Sequence, residues 1–143
     1  MKDIAIICVD DEKIILDSLK IQLTKNFGND FFYDFAESAE EALEVIENLQ
    51  KESVKFIVIV SDWLMPGMKG DKFLIEITNK YKNVANIMLT GQANQDAIDN
   101  AFNNANLLEC IAKPWTEETL IHTITKGLKI YGIFKNVAEN LRG

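Results

Sequence analysis

Five short apolar runs, at residues 4–9, 31–35, 56–60, 86–89 and 107–112, are separated by stretches in which apolar side chains return every three or four residues. Runs of this length suit strands, and the three-and-four spacing between them suits helices with one buried face. Ile14, Ile15, Leu19 and Leu23 mark one helix, Ala39, Leu43, Ile46 and Leu49 a second, and Phe73, Leu74, Ile77 and Tyr81 a third. Strands that alternate with helices are joined by crossovers and therefore run parallel. The first, third and fourth runs are apolar enough to be buried on both faces. The expected fold class is α/β, a three-layer sandwich in which a five-stranded parallel sheet is flanked by five helices. Two helix starts are marked: Ser38 with Glu41 forms a capping box, and Thr116 ahead of Glu117 and Glu118 places a cap and two acids at a positive helix end.

A chain of 143 residues, 48% hydrophobic and 26% charged, suits one domain that buries a core without disulfides or a structural metal. No apolar run approaches the roughly 20 residues of a membrane span. The first ten residues are too acidic, and their apolar stretch too short, for a secretory signal, so a cytoplasmic location and no membrane contact are expected. Cys8 and Cys110 sit in apolar runs without a CxxC pattern and are expected to be buried small hydrophobes. The net charge is -7, but Lys126, Lys129, Lys135 and Arg142 against Glu139 make residues 126–143 net +3, leaving -10 on residues 1–125. So acidic a body argues against direct nucleic-acid binding, which rests on neutralising phosphates.

The last helical pattern runs from Thr116 to about Leu141, longer than packing on a sheet requires. Ile124, Gly127, Tyr131, Phe134, Ala138 and Leu141 follow a heptad-like spacing, and Ile130, Ile133 and Val137 add apolar surface. The expected organisation is a domain over residues 1–126 and a helical extension over 127–143. That extension would serve as a linker to an output domain beyond residue 143, or as a homodimer contact, rather than a tail folded on its own core.

Ligands of open α/β sheets bind beyond the carboxyl ends of the strands. The polar residues there are Asp10, Asp11 and Glu12 after the first run, Ser61 and Asp62 after the third, Thr90 and Gly91 after the fourth, and Lys113 and Pro114 after the fifth. Any one of them has a bland explanation as a cap or a solvated charge; their convergence at one edge does not. Each pair of carboxylates about 4 Å apart costs roughly 4 kcal/mol at an effective dielectric of 20, so Asp10, Asp11 and Asp62 together call for a cation. Hard oxygen donors without His or Cys favour Mg²⁺, and Mg²⁺ among carboxylates points to phosphate chemistry. Asp62 is the expected nucleophile, forming an acyl phosphate, with Mg²⁺ on Asp10 and Asp11, the Lys113 ammonium and the Thr90 hydroxyl each meeting one phosphoryl oxygen.

The blocks IAIICVDDE (residues 4–12), SDWLMPGMKG (61–70), MLTG (88–91) and KPW (113–115) resemble, in order, the signature blocks of response-regulator receiver domains. The resemblance covers residues 1 to about 126. It implies a flavodoxin-like strand order 2-1-3-4-5. Asp10 and Asp11 become the metal acids, Asp62 the phosphorylation site and Leu64 a metal ligand through its backbone carbonyl. Thr90 becomes the switch hydroxyl, Lys113 the phosphate-pairing lysine, and the bond before Pro114 is expected to be cis. The implied function is that of a two-component phosphoacceptor, charged by a sensor histidine kinase or a phosphotransfer protein, which switches a partner or output domain. Leu64 and Gln92 would flank the path of water to the acyl phosphate and tune its lifetime.

One position departs from the family pattern. An aromatic residue usually stands three before the lysine, where this chain has Cys110, so transmission through the Gly91 loop and the fourth helix is expected instead. Trp63 and Trp115 are read as packing residues, and His122 as a surface or half-buried side chain unsuited to donating phosphate. A haloacid-dehalogenase-type phosphatase would need DxDxT, which neither Asp10 nor Asp62 begins. A dinucleotide-binding protein would need a glycine-rich first turn, where acids stand instead. The remaining alternative is a receiver that no longer switches and serves only as an interaction or dimerisation module.

Overall fold

The computed structural model describes residues 4–91 and 95–130, apart from the side chains of Phe56 and Ile57. Five strands, β1 (Ile4–Val9), β2 (Phe32–Ala36), β3 (Lys55–Ser61), β4 (Ala85–Thr90) and β5 (Leu107–Ala112), alternate with α1 (Lys13–Phe27), α2 (Ala39–Lys51), α3 (Gly70–Lys80), α4 (Gln95–Asn104) and α5 (Glu117–Ile130). The strands form one sheet in the order β2-β1-β3-β4-β5, every neighbouring pair parallel. The chain winds outward from β1 in both directions, so the crossovers diverge above the β1–β3 junction.

The central strands alternate their side chains between two cores, as the period of two requires. Ala5, Ile7 and Val9 face α2, α3 and α4, where Ile46, Phe73, Leu74 and Ile77 are fully buried. Ile4, Ile6 and Cys8 face α1 and α5, packing with Leu19, Leu23, Leu120 and Ile124. Every residue of β1 and β4 is buried, as their continuous apolar character anticipates. In α1 the buried stripe runs through Leu16, Leu19, Leu23 and Phe27, whereas Ile14 is 72% exposed. Leu19 and Leu23 lie on that stripe as expected and Ile15 packs partly buried against the same core, so of the four expected positions only Ile14 falls outside it. Cys8 is buried as expected, but Cys110 is half-buried because β5 is an edge strand whose outer positions are open.

The Ser38 hydroxyl accepts the Glu41 N–H at 3.1 Å, while the Glu41 carboxylate reaches back to the N–H of Glu37, one residue beyond the usual box. Thr116 caps α5 through the Thr119 N–H at 3.1 Å. α5 then packs on the sheet through Gly127, where an added Cβ would stand 2.8 Å from the Ala85 Cβ, and through the buried Leu128. Ile124 and Gly127, the first two positions of the heptad-like spacing, thus pack on their own sheet. Ile130 is 56% exposed, and residues 131–143, with the rest of the seam, lie outside the described residues. No helix among the described residues is long and apolar enough to cross a membrane.

Candidate functional site

Main-chain pairing carries the strand ends into the site. The Asp10 N–H donates to the Ala36 carbonyl at 3.1 Å, that of Asp62 to the Val9 carbonyl at 2.9 Å and that of Lys113 to the Thr90 carbonyl at 3.2 Å. Each bond extends the ladder one residue past a strand, so the side chains that follow inherit the rigidity of the sheet. They surround a cavity of about 460 Å³ whose lining includes Asp11, Asp62, Leu64, Lys69, Thr90 and Lys113.

Asp10, Asp11 and Asp62 each offer a carboxylate oxygen within 4.8 Å of the other two. Asp10 and Asp62 are buried, and Asp11 is exposed. Asp10 is buried and does not line the cavity, its Oδ1 accepting the Glu12 N–H at 2.9 Å and its Oδ2 the Lys113 ammonium at 2.7 Å. The same Lys113 Nζ stands 3.3 Å from Asp62 Oδ1. One ammonium is thus shared by two buried carboxylates and offsets much of their repulsion. Burial, and then the neighbouring Asp10, push the Asp62 carboxyl above its ordinary value, with Lys113 and the Trp63 backbone amide pulling the other way. Burial opposes the charge on Lys113, but the hydrogen bond to Asp10 and the attraction of both acids outweigh it and raise its pKa.

The donor set fits a divalent cation of the Mg²⁺ kind. It consists of hard oxygens only, without His or Cys, and its exposed member, Asp11, lines the cavity, where a hydrated cation would have access. Thr90 is buried yet lines the cavity. Leu64 is 40% exposed at the rim. Gly91 is described, while Gln92 lies outside the described residues. The Lys113–Pro114 bond is cis, as the resemblance implied. Ser61, at a strand end with the others, turns away: its hydroxyl donates to the Asp62 carbonyl at 3.0 Å and does not line the cavity.

Neither tryptophan lines the cavity. The Trp115 indole donates to Gln22 Oε1 at 2.8 Å, fastening the turn after β5 to α1, and that of Trp63 donates to Asp71 Oδ1 at 3.1 Å. His122 is exposed on α5. Two residues of this region went unread in the sequence. Lys69 lines the cavity with its Nζ 5.8 Å from the Trp63 ring centroid, a cation–π distance. Asp71 is buried despite its charge. The available signal was weak, since a lysine in a loop and an acid in a first helical turn each have ordinary explanations.

The geometry belongs to a wider set of proteins. Residues 6–125 match the family model described as the response regulator receiver domain. The chemotaxis protein CheY-3 of Vibrio cholerae is 30% identical over 127 residues, covering 87% of this chain and 92% of that protein. The hydrogenase transcriptional regulatory protein HoxA of Cupriavidus necator is 28% identical over 92% of this chain, which spans about a quarter (26%) of HoxA's length. Among solved structures, a CheY-like receiver domain protein from Methanospirillum hungatei is 28% identical with a TM-score of 0.78, covering 89% of this chain and 94% of that one. With its matching fold and strand order, this chain belongs to the response-regulator receiver family of two-component signalling.

Proposed function

We propose that Asp62 is a phosphoacceptor, charged by the phosphohistidine of a sensor histidine kinase or a phosphotransfer protein in the cytoplasm. The observation that carries this reading is the sharing of Lys113 between Asp10 and Asp62 at the edge of an open cavity. In the transfer, an Asp62 carboxylate oxygen forms a bond to phosphorus as the bond from phosphorus to the donor's imidazole nitrogen breaks. Lys113 keeps Asp62 oriented and meets one equatorial oxygen, and the Thr90 hydroxyl meets another. Asp10, Asp11, Asp62 and the Leu64 carbonyl would hold Mg²⁺, which when bound supplies positive charge against the oxygens of the phosphoryl group. His122, exposed on α5 and outside the cavity lining, takes no part. The chain is read as a signalling module that promotes its own phosphorylation and slow dephosphorylation, with Leu64 and Gln92 tuning the latter.

The test is incubation with acetyl phosphate and Mg²⁺ followed by intact mass. The chain gains one phosphoryl group, Asp62→Asn gains none, and modification of Asp62→Asn to the same extent would refute the assignment. The metal reading gives a separate prediction. Mg²⁺ at ten times its dissociation constant stabilises the folded chain by about 1.4 kcal/mol, and Asp11→Asn weakens the effect at the same concentration. Calorimetry with and without Mg²⁺ checks it, and an unchanged response in Asp11→Asn would remove Asp11 from the metal set.

We further propose that residues 127–143 lead to an output domain or pair with a second copy. The outward-facing Ile130 and HoxA's much greater length support this extension. The intact site favours a switching receiver over a purely structural one.

A further inference from the structure

Asp71 lies at the second position of α3, only 6% exposed, with both carboxylate oxygens given to neutral donors on different parts of the molecule. Its Oδ1 accepts the Trp63 indole N–H at 3.1 Å, and its Oδ2 accepts the Asn100 side-chain amide of α4 at 3.0 Å. Asn100 Oδ1 in turn accepts the amide of Asn104 one turn along α4, at 2.8 Å. A buried carboxylate is costly unless hydrogen-bonded, so the arrangement holds indole and α4 to one point.

There is little slack on the acceptor side. Trp63 follows Asp62 directly, and its backbone amide favours the ionised Asp62 carboxylate. The Trp63 carbonyl accepts the Gly70 N–H at 2.8 Å, and Gly70 is packed against the backbone of residues 62 and 63. The Lys69 ammonium stands over the indole ring, 5.8 Å from its centroid. A displacement of the main chain at Asp62 therefore reaches Asp71 through Trp63, and Asp71 touches α4 directly. Cys110, partly buried against the core on which α4 packs, pairs with Met88 in the β4–β5 ladder and brings no ring that could swing.

We infer that Asp71 is a positioning residue that couples the acceptor loop to α4 in this chain, through Trp63 on one side and Asn100 on the other. The inference rests on the reading of Asp62 as phosphoacceptor for its signalling role, while the static coupling between Trp63 and Asn100 stands apart from it. By linkage, whatever phosphorylation does to α4, the position of α4 does in return to phosphorylation.

Amide NMR of the full chain tests both parts. Without any phosphorylating agent, Asn100→Ala, a change at a half-exposed site, moves the Trp63 indole N–H resonance while the Trp115 indole stays in place. In an Asp71→Ala background the same change no longer moves the Trp63 indole. With Mg²⁺ and beryllofluoride, which stands in for the phosphoryl group, resonances at residues 62–63 and along α4 shift together. Asp71→Ala keeps the former and reduces the latter at least about twofold. Asp71→Asn restores the α4 response, because its amide accepts from the indole and pairs with a turned Asn100 side chain. An α4 response of wild-type size in Asp71→Ala, or an indole untouched by Asn100→Ala, overturns the inference and leaves the phosphoacceptor reading standing. If nothing near Asp62 responds in the unaltered chain, that reading fails and the signalling role of Asp71 fails with it.

Discussion

Replacing Lys113 with alanine is expected to lower the unfolding free energy by about 3 kcal/mol in the absence of divalent cations, measured at neutral pH by urea titration. Its Nζ is the partner of Asp10 at 2.7 Å and of Asp62 at 3.3 Å, and its side chain is only 16% exposed, so solvent cannot take over its role. Removal leaves two buried carboxylates facing each other with Asp11 nearby, and breaking a buried pair from one side costs far more than the pair is worth intact. Mg²⁺ should recover part of the loss, since the vacated charge is the one a cation replaces. Asp62→Asn moves the other way, because it deletes a like-charge neighbour of Asp10 and leaves Lys113 with a partner; its melting temperature should rise by a few degrees. If Lys113→Ala melts like the unaltered chain, the shared ammonium contributes nothing and the electrostatic account of the site is wrong.

Gly70→Ala is expected to cost about 3 kcal/mol or more and to abolish phosphoryl uptake at Asp62, read by urea midpoint and by intact mass after acetyl phosphate. A Cβ there would lie 2.8 Å from the Trp63 Cα and would collide with the Asp62 carbonyl. The obstacles are backbone atoms, so no side-chain rotation relieves them, and the acceptor loop has to move as a whole. The Gly70 N–H bond to the Trp63 carbonyl is lost with the same displacement. An unaltered midpoint would mean that the loop moves freely, which would also weaken the proposed transmission through Trp63.

Much of the fold was legible before any coordinates. The five runs coincide with the five strands to within a residue or so at each end, and β1 and β5 match at both ends. Strand ends were the least secure, since β2 begins at Phe32 rather than Phe31 and β3 and β4 each extend beyond their apolar cores. In α1 the expected Ile15, Leu19 and Leu23 pack on the core and only Ile14 does not, because three consecutive apolar residues at the helix start span too wide an arc to share one buried face. Cys110 was misjudged for a related reason: an apolar residue on an edge strand can lie half in solvent, and edge position is a property of the sheet order.

The amino-acid sequence alone determined the alternation of strands and helices and the polar residues that stand at the strand ends. These follow from periodicity and from position along the chain, which are local. Only the tertiary structure decided which of them touch. Asp10 and Lys113 are 103 residues apart, and Lys113 meets both Asp10 and Asp62 because β1 lies beside β3 while β4 and β5 follow on one side. Likewise Asp71 joins Trp63 to Asn100 because α3 and α4 pack on the same face, a pairing set by the winding of the crossovers and not by the spacing of those residues.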